Sequence, residues 1–241
     1  MKQIILLFIT VFICLSGFAQ NGESGKKEKS SSVKFGFKGG FNSSLYIVNK
    51  FVIKDVTIDN IQNNYKVGYF GSLFMQINMK RHFIQPEISY AVGKSEIMFD
   101  KKGSQHPDIT PDYASIGATI HTAELAALYG YNFTLSGPYS MCFFVGPKVK
   151  YVWNDKCELD FVNFDQSNIE EKLYPINFSA VVGVGVKVSR IFFDFRYEAG
   201  VHNISKAVTY ESVDAEGEVE TSNIIFKRRN NILSFSLGFL F

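Results

Sequence analysis

Cysteine, proline and tryptophan are scarce in this chain: three, six and one among 241 residues. Three cysteines are too few for a disulfide-stapled scaffold. Charge is thin as well, at 20%, against ~25% in an ordinary soluble domain. The formal net charge is only +2, so the Lys/Arg excess behind nucleic-acid affinity is missing and no nucleic-acid partner is expected. Beyond residue 20 no stretch stays apolar for 18 residues, which argues against a helical membrane protein. Catalytic motifs are absent too. Val145–Lys150 lacks the Gly-x-x-x-x-Gly-Lys-[Ser/Thr] frame of a phosphate loop, and there is no Gly-x-Ser-x-Gly elbow. His82, His106, His121 and His202 are scattered with no zinc-ligand spacing. His202 with Asp194 is the one pairing that could seed a hydrolytic rim site. No catalytic residue, cofactor or metal is expected.

What the chain does have is 24 Phe and 12 Tyr, too many aromatics for a disordered polymer. Met1–Gln20 opens with Lys2, continues through an apolar core and ends in Gly17 and Ala19, the small residues a signal peptidase requires. Residues 1–19 therefore read as a cleaved signal peptide. Ile13 before Cys14 argues against a lipid anchor. Residues 20–32 form a polar, flexible leader.

From residue 33 the pattern is period two, the signature of strands with one apolar face. Eight such segments occur: Val33–Asn42, Tyr65–Met79, His82–Val92, Thr119–Phe133, Tyr139–Trp153, Tyr174–Val188, Ile191–Asn203 and Arg229–Phe241. Their connections alternate. Met79–His82, Thr134–Pro138 and Ser189–Arg190 are tight, whereas Ser43–Asn64, Gly93–Ala118, Asn154–Leu173 and Ile204–Arg228 are long. Short turns on one rim and long loops on the other match an outer-membrane barrel. An eight-stranded barrel has room inside for little more than its own side chains. The bulky Phe, Tyr, Leu, Ile and Val set should therefore face outward, into lipid, with the Gly, Ser, Asn and charged set inside.

That inner set carries charges of both signs: Lys34, Lys38, Lys148, Lys150, Lys187 and Arg196 against Glu87, Glu124, Asp194 and Glu198. Buried singly they would be costly; paired they are tolerable. A structural charge network of Lys38, Glu87, Glu124, Lys148, Lys150, Asp194, Arg196 and Glu198 is expected, with Arg196 on Glu87 or Glu124. Cys142 low on the fifth strand and Cys157 above it should lie too far apart for a disulfide. The acids of Asn154–Leu173 and Tyr210–Glu220 read as a solvated face, or else as a divalent-cation contact at a lipopolysaccharide surface.

Several segments resemble the PorT-like outer-membrane β-barrel family of Gram-negative bacteria: KFGFKGGFN (34–42), QPEISY (85–90), TAELAAL (122–128), FVGPKVKY (144–151), VGVGVK (182–187), FDFRYEAG (193–200) and the closing LSFSLGFLF. The resemblance covers residues 33–241 in order. It departs at Ala126, where the family usually has Pro. It implies an all-β, eight-stranded antiparallel up-and-down transmembrane barrel with short periplasmic turns, long extracellular loops and no enzyme activity. The founding member of the family is associated with type IX protein secretion. The terminal Phe241 is similar to the aromatic that ends bacterial barrels as an assembly signal. The partners so implied are outer-membrane lipid and lipopolysaccharide, the barrel-assembly machinery and secretion-system proteins. The role expected is structural or interactive, with a small solute or ion channel as the alternative.

Overall fold

A computed structural model describes residues 32–53, 56–57, 62–100, 113–153, 157–162, 167–213 and 219–241. The signal peptide and the leader expected from the sequence lie outside these residues up to residue 31, as does His106. In chain order the strands are β1 Ser32–Ile53, β2 Val56–Thr57, β3 Gln62–Asn64, β4 Val67–Met79, β5 His82–Asp100, β6 Tyr113–Ser136 and β7 Tyr139–Val152. They continue with β8 Glu158–Val162, β9 Ser167–Leu173, β10 Ile176–Val188, β11 Ile191–Gly200, β12 Ser205–Val213 and β13 Val219–Leu240.

Eight of them form the wall, in the order β1-β4-β5-β6-β7-β10-β11-β13, each antiparallel to the next. β13 then pairs back to β1, from Gly36↔Leu240 onward, so the ring closes and no wall strand keeps an open edge. Val33 leads by paired residues through Ile77, Ile84, Tyr129, Val145, Val182, Tyr197 and Leu233 to Ser43. One circuit therefore advances ten residues along β1, the stagger that tilted strands need in order to close.

The apolar face points outward. Phe41 is 65% exposed and Leu73 63%, while the intervening Lys38, Asn42 and Ser72 are buried. The pattern runs unbroken through β10, from Ile176 to Val186. In water this band would drive aggregation; in lipid it is what burial of the wall requires. Aromatic belts mark both its rims. On the turn side His82 stacks on Tyr129 and Tyr131. On the loop side Tyr90 packs on His121 and Trp153, and His202 packs on Tyr174 and Phe178. On β7 the belts are Tyr139 and Tyr151. Their spacing at ~3.3 Å per residue and ~40° tilt gives a band of roughly 30 Å, near the ~25 Å of an outer-membrane barrel.

The three tight connections are two-residue turns, Lys80-Arg81, Gly137-Pro138 and Ser189-Arg190. Each has a positive φ at its first residue only (57°, 59° and 59°), the pattern of a type II′ hairpin turn.

The long connections differ from expectation. β1, β5, β6 and β13 run on well past the loop-side belt; β2, β3, β8 and β12 pair with these extensions, and β9 pairs with β12. The described parts of the segments expected as loops thus form a β-sheet collar above the wall. The reason is physical. Outside lipid the two faces of a strand no longer meet opposite environments, so alternation fades while pairing continues. Neighbouring residues such as Ala91 and Val92, or Ser115 and Ile116, are buried together there.

Candidate functional site: a charge-filled lumen

The inner face is filled from end to end. Next to the turns it is apolar, which the sequence pattern did not suggest. Phe74, Phe192 and Leu240 form one cluster. Phe83, Ala126, Leu128, Phe144 and Val181 form another. Each phenylalanine of these two clusters lies directly across from a glycine on the next strand: Phe74 on Gly36, Phe83 on Gly130, Phe144 on Gly183 and Phe192 on Gly238. A methyl group at any of the four would collide with the ring. The glycines therefore act as seats, and the rings cover backbone that would otherwise lie bare.

Above this floor the charges meet in tiers. In the first, Arg196 donates from Nη1 and Nη2 to Glu87 at 2.7 and 2.9 Å, and from Nε and Nη2 to Asp194 at 3.0 and 2.7 Å. Lys38 donates to Glu87 at 2.7 Å and to Asp194 at 3.4 Å. Gln85 donates to Glu87 and Ser236 to Asp194. β5 and β11 are four strands apart in either direction round the ring, so the Arg196–Glu87 fork crosses the full width of the lumen. The Arg196 guanidinium also lies 4.8 Å from the centre of the Phe144 ring, which joins the tier to the apolar floor.

In the second tier Lys148 bridges Glu124 at 2.9 Å and Glu198 at 2.8 Å, and Lys150 pairs with Glu198. Thr122 donates to Glu124. The third tier joins wall to collar. Arg228 on β13 donates to Glu171 on β9 at 2.7 Å, both side chains are fully enclosed, and the guanidinium stands 4.2 Å over the Tyr46 ring.

The eight residues expected in the network all lie in the first two tiers. Each tier balances: two cations against two carboxylates in each of the first two, one against one in the third. Balance and multiple hydrogen bonds are what make buried charges tolerable. The sequence reading missed Tyr46, Arg228 and Glu171. The last two fell in segments expected as solvated loops, where no alternation marked them. Glu171 is thus withdrawn from the loop acids, while Glu158 and Asp160 remain exposed. Asp155, Asp165, Asp214, Glu216 and Glu218 lie outside the described residues.

The remaining candidates are dispersed. Asp194 belongs to the first tier, whereas His202 lies against belt aromatics. His82 and His121 share short hydrogen bonds with Tyr129 and Tyr90. Cys142 faces the turn-side lumen, Cys157 lies on the loop side, and both are free thiols. Phe241 holds its place through its backbone N–H to the Phe35 carbonyl and by ring contact with Phe37 and Phe239. Cavities of about 40 Å³ at the turn side and about 20 Å³ between the second and third tiers interrupt the fill.

Residues 18–206 match the outer membrane protein beta-barrel domain family. The chain belongs to that family. It is an integral outer-membrane β-barrel protein. No curated protein matches it. Among solved structures, the outer membrane protein OprG from Pseudomonas aeruginosa aligns with a TM-score of 0.54 at 12% identity, over 88% of this chain and 97% of that one. Neisserial surface protein A aligns with a TM-score of 0.36 at 12% identity, over 87% and 99%. Ail, the attachment invasion locus protein of Yersinia pestis, aligns with a TM-score of 0.34 at 10% identity, over 87% and 99%. The OprG likeness is one of fold.

Proposed function

We propose that this protein is a closed, non-enzymatic outer-membrane anchor that works through its collar. Its tight turns face the periplasm and its collar faces outward. Its role is structural or interactive, as an accessory to type IX protein secretion or to envelope assembly. Lipopolysaccharide around the collar and the barrel-assembly machinery, reading Phe241, are its expected contacts. The observation that carries the reading is the Arg196–Glu87 fork across the lumen, with balanced tiers stacked above a phenylalanine floor. Such a lumen leaves room for a few waters only, since cavities of this kind hold one water per ~10–15 Å³.

The alternative, a small solute or ion channel, needs those tiers to part. Recording from the refolded protein in planar bilayers decides between them. The expected trace is flat; discrete conductance steps would overturn the closed anchor. The secretion role has its own test. Deleting the gene should remove a class of secreted cargo, restored by complementation, and an unchanged secreted proteome would withdraw that role.

A further inference from the structure

Every tier of the lumen balances its charges, but the turn-side mouth does not. Lys34 on β1 and Lys187 on β10 belong to the inward register there and repel each other. Among the described residues neither has a carboxylate partner. Lys187 lines the 40 Å³ cavity together with Gln76, Gln85 and Ser140, with phenylalanines of the floor, and with Asp194, whose carboxylate is already held by Arg196 and Lys38. Gln76 stands opposite Lys34 in the β1–β4 register. Its Nε2 donates to Gln85, while its buried Oε1 has no partner. Lys80, Arg81 and Arg190, all exposed, add three cations in the turns of the same rim. Segments 32–37, 75–86, 129–143, 185–193 and 237–241, which build this end, contain no Asp or Glu, and the next acids along β5 and β11, Glu87 and Asp194, are held by Lys38 and Arg196 in the first tier.

The mouth is thus a cationic funnel over the phenylalanine floor, with Gln76 and Gln85 as polar groups at its edge, beside the turn-side aromatic belt. Partly enclosed ammonium groups with no counter-charge gain most from a ligand with several anionic oxygens, because charge-assisted N–H···O bonds are strong where water is partly excluded. We propose that the turn-side mouth is an oxyanion-binding site in which Lys34 and Lys187 hold a phosphate group. The group comes either from the headgroup of an anionic phospholipid in the adjoining leaflet or from a soluble phosphate. The site does not depend on what the collar does.

The test uses the full chain refolded into phosphatidylcholine vesicles. It reads the temperature at which the compact, fast-migrating band on SDS gels is lost. One arm adds inorganic phosphate against chloride at equal ionic strength; the other replaces part of the lipid with phosphatidylglycerol. At saturation, binding should raise that temperature by about 5 °C. Lys34→Gln and Lys187→Gln should each reduce the rise and the double variant should abolish it, while Lys66→Gln at the other end should keep it. The compact band before heating shows that each variant has folded. A rise with inorganic phosphate identifies a soluble ligand, and a rise confined to the lipid arm identifies a headgroup. No rise in either arm, or a rise that the double variant keeps, overturns the site.

Discussion

Wall and collar are built from the same strands but answer to different solvents. β4, β7, β10 and β11 stay within 10 to 14 residues and alternate face by face. β1, β5, β6 and β13 reach 19 to 24 residues, and their upper parts lose the alternation. In the wall, lipid outside and a narrow lumen inside force every second side chain to be apolar or small. In the collar only the hydrogen-bond ladder must be kept, and side chains answer to local packing. Stability should therefore be concentrated in the lumen of the wall, while the collar should open more readily by itself.

The largest test of that contrast is Arg196→Ala. It leaves Glu87 and Asp194 in the lumen with Lys38 as the one cation of their tier to share. Breaking a buried pair in this way costs about 3–5 kcal/mol. Urea titration in lipid vesicles should show the compact band lost at clearly lower urea. A shift no larger than that of an exposed control such as Lys66→Gln would mean that the tiers contribute little. Next is Gly130→Ala, which drives a methyl group into the Phe83 ring. Overpacking costs about 1–3 kcal/mol. Adding Phe83→Leu should recover part of the loss, because the ring is what the methyl strikes. Simple additivity of the two changes would break the ring-on-glycine account.

The sequence made the wall legible because lipid writes period two into it. Phe35, Phe37 and Phe41 alternate with Gly36, Lys38 and Gly40, and a large apolar set alternates with a small or polar one along the other wall strands too. The network was legible for a related reason: Asp194, Arg196 and Glu198 fall two apart on the inner register, so they must share one narrow space. The phenylalanine floor was not legible. An inward Phe74 looks like any other Phe until its cross-strand glycine is known, and register is a long-range property. Arg228 and Glu171 were hidden for a different reason, since they meet through a collar strand whose pattern carries no face signal.

Glu171→Gln probes the collar alone. It removes the carboxylate on which Arg228 rests, but the partner lies at the lumen's top, where the collar can give way without the wall. The expected outcome is faster protease cleavage in the collar with the wall band intact and a global shift below about 1 kcal/mol. Loss of the whole barrel would instead mean that the third tier belongs to the wall.

The smallest effect sits at the opposite rim. The three tight turns share one backbone conformation, yet only Gly137-Pro138 places glycine at the positive-φ position; Lys80 and Ser189 hold it with full side chains. An L-residue at positive φ costs about 1–2 kcal/mol, part of which glycine returns as extra chain entropy lost on folding. Ser189→Gly should therefore stabilise the barrel by about 0.5 kcal/mol, and Gly137→Ala should destabilise it by about 1 kcal/mol. Opposite signs in parallel urea titrations would show that turn conformation is held by the closed wall rather than chosen by the turn residues. Equal signs would mean that the two turns are stabilised by different contacts, and that the rim is less uniform than its backbone.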